Sequence, residues 1–160
     1  MNDRRVRVAQ ASDCIPLAQL RAALWPESSI EEHAEELRLI LAGMFPRLMP
    51  LLVLVAEADE GSLAGFLEVG LRSTAEGCKE SHPVGYVEGW YVAANWRQRG
   101  IGAGLPRAAE DWARSQGCIE MASDTAIDNE VSQRVHEAVG FEVAERSVLY
   151  RKTLRNSIPR

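Results

Sequence analysis

Arg97-Gln98-Arg99-Gly100-Ile101-Gly102-Ala103-Gly104 stands directly after a strand pattern, Val84 to Val92, and directly before a helical one. Glycines at such a turn let the backbone approach a ligand closely. The helix that follows offers unpaired N–H groups and the positive end of its dipole to a phosphate. Arg97, Gln98 and Arg99 add side-chain donors just ahead of the turn. The same geometry also serves as a plain strand-to-helix connection with no ligand. Two other phosphate motifs are set aside. No Gly-Lys-Ser/Thr occurs here, so this is not a P-loop. A dinucleotide fingerprint opens near the first strand and has an acidic ribose ligand about twenty residues on. This turn comes at the fourth strand.

Downstream, Leu105, Ala108, Ala109 and Trp112 keep helical spacing up to Gly117. Cys118 to Ser123 reads as a strand, Asn129 to Val139 as a helix stopped by Gly140, and Phe141 to Lys152 as one or two terminal strands. Upstream, Arg5 to Val8 is a short strand. Ser12 caps a helix carrying Leu17, Leu20 and Leu24, ended by Trp25-Pro26. Ile30, Ala34, Leu37 and Leu41 share one face of a second helix, with Gly43 as its stop. Leu51 to Glu57 is a buried strand, and Asp59-Glu60-Gly61-Ser62 a hairpin turn. Leu67, Val69 and Leu71 alternate with Glu68, Gly70 and Arg72 in the next strand, and Ser73 to Pro83 is polar and irregular. The order β-α-α-β-β-β-α-β-α-β predicts one α/β (α+β) domain over residues 1–160 around a mixed sheet, with Leu154 to Arg160 as a frayed tail.

The chain's 160 residues suffice for one sizeable core and not for two. Leu51 to Ala56, the longest strongly apolar stretch, is far too short to cross a bilayer, and no signal peptide is read at the N-terminus. The net charge of −5 disfavours a nucleic-acid partner and suits a cationic small molecule. Cys14, Cys78 and Cys118 are odd in number and widely separated, which predicts a reducing cytoplasm and no clustered metal site.

Arg97-x-x-Gly100-x-Gly102 after a strand resembles the acetyl-CoA pyrophosphate loop of GNAT acetyltransferases. Asn129, seven residues ahead of His136-Glu137-Ala138-Val139-Gly140-Phe141, is similar to the second motif of that superfamily. Leu24-Trp25-Pro26, Val87-Glu88-Gly89-Trp90-Tyr91-Val92, Met121-Ala122-Ser123-Asp124-Thr125 and Gly140-Phe141-Glu142 with Glu145-Arg146 resemble the aminoglycoside 6′-N-acetyltransferases over about residues 4 to 153. The resemblance implies a mostly antiparallel mixed sheet flanked by helices and splayed between its fourth and fifth strands. It implies acetyl transfer from acetyl-CoA to a primary amine of an aminoglycoside, without a metal, in an enzyme that forms a homodimer. By it, the backbone of Trp90, Tyr91 and Val92 takes the acetyl and pantetheine end. Gln98, Arg99, Gly100, Ile101, Gly102 and Ala103 take the pyrophosphate, and Asn129 adds a polar contact. Trp25, Glu88, Asp124 and Glu145 match positions that hold the drug.

The sequence departs from that pattern. Ser73-Thr74-Ala75-Glu76-Gly77 lacks the family's loop tyrosine, and Pro106 sits in the first turns of the cofactor helix, where it removes a backbone donor.

Chemically, an alkyl amine must shed a proton before attacking a thioester, and Glu88 is the candidate to hold the ammonium and relay that proton. An unpartnered carboxylate would be costly in so apolar a strand. Asp124 either shares the cation or caps a turn, and Glu145 either binds substrate or is an exposed strand residue. Trp25 is a substrate contact or the core residue closing its helix. His136 stands where many GNATs keep a tyrosine, and either protonates the departing thiolate or is a satisfied helix-face histidine. His33 and His82 read as surface residues. Three functions remain open: an aminoglycoside acetyltransferase, a GNAT acting on a polyamine or other amine, and a catalytically silent acyl-CoA-binding module.

Overall fold

The computed structural model describes residues 6–154. Its sheet has five strands in chain order: β1 (Val6–Val8), β2 (Leu51–Glu57), β3 (Leu63–Arg72), β4 (Val84–Val92) and β5 (Met121–Ser123). β1 to β4 are antiparallel neighbours, and β5 joins β4 in parallel. Four α-helices flank it: α1 (Cys14–Leu24), α2 (Ile30–Leu41), α3 (Ile101–Ser115) and α4 (Glu130–Ala138).

Alternation along the strands divides the core into two layers. Val53, Val55 and Phe66 pack under α1 and α2 against Leu17, Ala18, Ala34 and Leu37. Leu54, Ala56, Leu67, Val69 and Val87 face the other way, against Ile101, Leu105 and Ala109 of α3. The order and the mixed, mostly antiparallel sheet agree with the sequence pattern. β4 keeps β3 along its length, yet meets β5 only at Gly85–Met121, Tyr86–Ala122 and Val87–Ser123. Beyond Val87 the two strands part.

Several local expectations are corrected. Arg5, expected to open the first strand, lies outside the described residues, which place Val6–Val8 in β1. Ser12 does not cap α1: it sits in a 3-10 turn, and Asp13 occupies the cap position. Asp13 is held there by a bidentate pair with Arg7 at 2.7 and 3.0 Å, which keeps its carboxyl below the usual range despite burial. Ser29 and Glu32 form a reciprocal capping box at the start of α2. The fifth strand is shorter than Cys118 to Ser123, beginning at Met121. α3 runs unbroken through Pro106, which is buried. His33 is buried, not exposed, with Nε2 3.1 Å from the Trp25 carbonyl.

The terminal strands expected over Phe141 to Lys152 are absent: residues 141–154 pair with nothing in the sheet. Val148, Leu149 and Tyr150 are exposed there. Alternating polarity makes a segment suited to a sheet, but a strand forms only where a free edge accepts it. The expected frayed tail lies, apart from Leu154, outside the described residues.

One buried charge pair needs its own account. Glu68 (3% exposed) and Arg21 (5% exposed) lie within the α1 side of the sheet, with Arg21 Nε 3.0 Å from Glu68 Oε1. The alignment completes no hydrogen bond between them, and Arg21 turns its Nη1 to Glu36 at 2.7 Å. Burial therefore outweighs the guanidinium and pushes the Glu68 carboxyl from 4.5 up to about 7. Between these values the folded chain keeps a proton that the unfolded chain has lost. The Glu68 contribution to stability is thus present at low pH and is lost as pH rises towards 7. Glu68→Gln removes that dependence while leaving Arg21 its partner Glu36. Its melting temperature relative to the wild type should climb between pH 4.5 and 7.5 in thermal denaturation. A difference independent of pH would show that Glu68 is ionised throughout.

Candidate active site

The register of β4 on β3 slips at one point. Glu68 faces Gly89 while Val69 faces Val87, which leaves Glu88 as an extra residue, a β-bulge. A bulge turns successive side chains towards one face. Here Glu88 and Gly89 both address the α1–α2 side. The Glu88 carboxylate lies over Gly70, where a Cβ would come within 3.5 Å of Oε1. The Trp25 indole lies on Gly89 so closely that any side chain there would overlap its ring. Trp25 is held edge-on to Phe66 at 6.1 Å and beneath the Arg21 guanidinium at 5.1 Å.

Glu88 is not a lone carboxylate. Arg72 reaches it with Nη2 at 2.9 Å and Nε at 3.3 Å, and Arg47 Nη2 stands 3.6 Å away. Arg72 also stacks on the Tyr86 ring at 3.3 Å. The Tyr86 hydroxyl donates to Asp124 at 2.6 Å, and burial together with that bond pushes the phenol up to about 12, so it stays a donor at neutral pH. Trp25, Glu88 and Asp124 thus line one side of the sheet, joined by Arg72 and Tyr86. Sequence reasoning missed both residues, together with Arg47. Gly70, which clears room for the Arg47–Glu88 pair, is the only signal that pointed there. An open hollow of about 450 Å³ adjoins them, walled by Arg47, Met49, Arg72 and Thr74, the last from the loop that lacks a tyrosine. Glu145 is exposed in the unpaired terminal segment, and its neighbour Ala144 abuts Gly77. It is not brought to Glu88.

On the other face, the fork between β4 and β5 opens beside the glycine turn. Gln98 holds φ 58° and Gly100 φ 77°, so two residues of the turn are left-handed. For a glutamine this is an uncommon conformation, and left-handed residues in a turn draw successive N–H groups into an anion-binding concavity. A Cβ on Gly100 would meet nothing within 4 Å, and one on Gly102 only Trp90 Cζ2 at 4.0 Å, so open space lies before the α3 N-terminus. Ile101 anchors that end in the core, while Ala103 and Arg99 are exposed. Arg99 stacks on Trp96 at 5.2 Å, and Arg97 donates to the Val92 carbonyl at 2.9 Å. Trp90 turns to this face, and Tyr91 packs on the opposite one. These residues fit a diphosphate at the turn and an acyl chain in the fork.

Asn129 caps α4, its Oδ1 accepting from the Ser132 N–H at 3.1 Å. His136 lies edge-on between Trp90 and Phe141 at 5.6 and 5.4 Å. Its Nδ1 is 2.7 Å from the Ser132 carbonyl and its Nε2 is 2.8 Å from Ser123 Oγ. A carbonyl only accepts, so Nδ1 carries the proton. Nε2 of the neutral ring then accepts from the Ser123 hydroxyl. Among the described residues no group of three metal-ligating side chains forms, and no helix is long and apolar enough to cross a membrane.

The fold agrees with comparisons to known proteins. The Acetyltransferase (GNAT) family profile matches residues 17–141, and the chain belongs to that family. It is 39% identical over 149 residues to the aminoglycoside N(6')-acetyltransferase type 1 of Klebsiella aerogenes, covering 93% of this chain and 96% of that one. To the protein of the same name from Serratia marcescens it is 46% identical over 136 residues, covering 84% and 89%. Its structure superposes with a TM-score of 0.83 on AAC(6')-Iy in complex with the bisubstrate analogue CoA-S-monomethyl-acetylneamine. That pair is 36% identical and covers 94% of this chain and 98% of the other. Against the 6'-N-acetyltransferase AAC(6')-IG from Acinetobacter haemolyticus the TM-score is 0.82 at 32% identity, over 94% and 99% of the two chains.

The geometry around His136 makes a direct prediction. Nitrogen-15 NMR should find its neutral ring as the Nδ1–H tautomer, and Ser123→Ala should leave that tautomer in place because the Ser132 carbonyl sets it. An Nε2–H tautomer in the unsubstituted protein would show that Ser123 accepts and that the carbonyl contact is not a hydrogen bond, and one appearing only in Ser123→Ala would show that Ser123 sets the tautomer.

Proposed function

We propose that this protein transfers the acetyl group of acetyl-CoA to the 6′-amine of an aminoglycoside antibiotic and so confers resistance to it. The observation that carries this reading is the pairing of two half-sites across one strand. The parted β4–β5 edge and left-handed glycine turn lie on one side of β4, and the bulged Glu88 with Trp25 lies on the other. Support comes from relatives of that name at 39% and 46% identity and from a neighbouring structure that holds a bisubstrate analogue.

In this reading the backbone of Gln98 to Ala103 and the α3 N-terminus hold the pyrophosphate. The main chain of Trp90, Tyr91 and Val92 takes the acetyl and pantetheine end, with one N–H stabilising the developing oxyanion. Asn129 holds α4 in register beside the fork by its cap and lends its amide to the coenzyme. Acetyl-CoA supplies an activated thioester, whose thiolate leaves readily because a thiol pKa is about 8.5. The amine begins as an ammonium, and removing its proton near pH 7 costs roughly 4–5 kcal/mol for a lysine-like pKa of about 10.4. Glu88 anchors the ammonium beside Trp25 and passes its proton to solvent as attack proceeds, and Asp124 shares the charge. His136 supports the leaving side. With Nε2 turned to Ser123, any proton it gives passes through that hydroxyl.

Glu145 enters through a second copy. We infer a homodimer in which the unpaired segment 141–154 lays its exposed apolar residues against a partner and brings Glu145 near that partner's drug site. Support is the row Val148, Leu149, Tyr150 and Leu154, exposed at 70 to 93%. The buried thiols of Cys14 and Cys118 suit a cytoplasmic location.

Thiol release from acetyl-CoA, followed across aminoglycosides, polyamines and peptides, tests the substrate class. Turnover restricted to polyamines would replace the aminoglycoside reading. Two variants should separate the half-sites. Gly102→Val should raise the KM for acetyl-CoA at least ten-fold with the drug KM little changed, whereas Glu88→Gln should slow kcat and weaken drug binding. Full kcat in Glu88→Gln at saturating drug would remove Glu88 from proton transfer. Sedimentation equilibrium should give a dimer, and a monomer at assay concentration would overturn the shared site.

A further inference from the structure

Resting on the function proposed above, we infer that Arg72 is a built-in stand-in for the drug's ammonium group. It occupies Glu88 in the free enzyme and must give way for a substrate to bind, so that it sets how highly charged an amine must be to enter.

The case begins with the charge around Glu88. This carboxylate already faces two guanidiniums, Arg72 at 2.9 and 3.3 Å and Arg47 at 3.6 Å. Asp124, the other carboxylate on this face, accepts from the Tyr86 hydroxyl. An ammonium arriving at Glu88 would therefore meet a carboxylate whose charge is answered, beside two cations that repel it. Either the ammonium docks elsewhere or one arginine leaves.

The exposures decide which group moves. The Arg72 side chain is 43% exposed, against 29% for Arg47 and 22% for Glu88. Arg72 also ends β3 beside the open hollow, so its guanidinium can pass into water without disturbing packed residues. Leaving costs it the bidentate pair and the stack on Tyr86, and returns hydration. Solvent-facing pairs of this kind are weak enough to be exchanged. A singly charged amine offers only one ammonium for the guanidinium it displaces. A polyammonium ligand brings further charges that Asp124 and the acidic α2 helix, with Glu31 and Glu35, can answer. The arginine thus selects for polycations without touching the reacting atoms.

Arg72→Gln keeps a planar polar group on a shorter stem and removes the positive charge. Isothermal titration calorimetry with neamine should show a dissociation constant about two- to five-fold lower than the wild type's, the effect of one weak ion pair no longer opposing the ligand. A hexose with a single 6-amino group, refused by the wild type, should bind and be acetylated by the variant. An unchanged or raised neamine dissociation constant would overturn the inference and make Arg72 a group that orients Glu88. A second measurement uses the unsubstituted enzyme. The Arg72 Nε–H resonance should be protected from exchange in the free protein and lose that protection when neamine is added. Protection that persists in the complex would also overturn it. Wild-type thiol release with neamine and acetyl-CoA is recorded alongside. If that is absent while binding follows the pattern above, the acetyl-transfer reading fails and the role of Arg72 in cation binding stands.

Discussion

Everything that this protein can do with an acyl chain follows from a contact that β4 does not make. Its edge towards β3 is paired throughout, but its edge towards β5 is paired over three residues and then left open. Buried backbone N–H and C=O groups do not remain without partners. An open strand edge inside a domain can therefore accept another extended polar chain. The same parting leaves room for Trp90 to reach the glycine turn, so the start of α3 and the open edge lie along one path. The parallel sense of β5 contributes too. A parallel neighbour needs a crossover, and α3 is that crossover, which fixes its N-terminus at the end of β4 where the strands part.

Across the strand, the bulge at Glu88 converts a covered sheet face into a site. In a regular ladder, Glu88 and Gly89 would point to opposite sides. Val87 faces α3, so Glu88 already takes the α1–α2 side, over a glycine and between arginines, and it is Gly89 that the extra residue turns onto that same face while Trp90 turns towards α3. One local irregularity thereby seats Trp25 on a bare glycine beside the carboxylate. Glu68, opposite Gly89, is the contrasting case. It is buried on the same face with a partner that is close but misaligned, and its proton affinity rises accordingly.

The sequence displayed these features unequally, and for physical reasons. Helices α1 to α4 and the strand order were legible because amphipathic spacing and glycine stops are local properties, readable within a few residues. The glycine turn was legible for the same reason, although the left-handed Gln98 was not, since nothing about a glutamine announces φ 58°. The bulge, the Arg72–Glu88 pair and the Tyr86–Asp124 bond were hidden, because each joins residues 16 or more positions apart through a register that the sequence does not state. His33 read as a surface residue because its partner is a backbone carbonyl eight residues away, invisible in any side-chain pattern. The strands expected over Phe141 to Lys152 failed for a related reason. Their alternation was real, but pairing is a property of two edges, and the described residues do not supply the second.

The correction to the charge of the site has the widest reach. A tally of Glu88, Asp124 and Glu145 describes an acidic cleft that draws in any polycation. The structure answers Glu88 with Arg47 and Arg72, ties Asp124 to a neutral phenol, and gives Glu145 no ion pair with either arginine. The field around Glu88 and Asp124 is thus far weaker than the carboxylates alone suggest, and long-range attraction must come from the wider acidic surface, including α2. The two tasks are separable on physical grounds. Attraction acts over about a Debye length and depends on net charge, which is −5 for the chain. Placement of one amine against one thioester depends on contacts of about 3 Å, where an arginine paired with the carboxylate keeps it from being occupied by the wrong cation. A site organised in this way binds through its surroundings and discriminates at its centre.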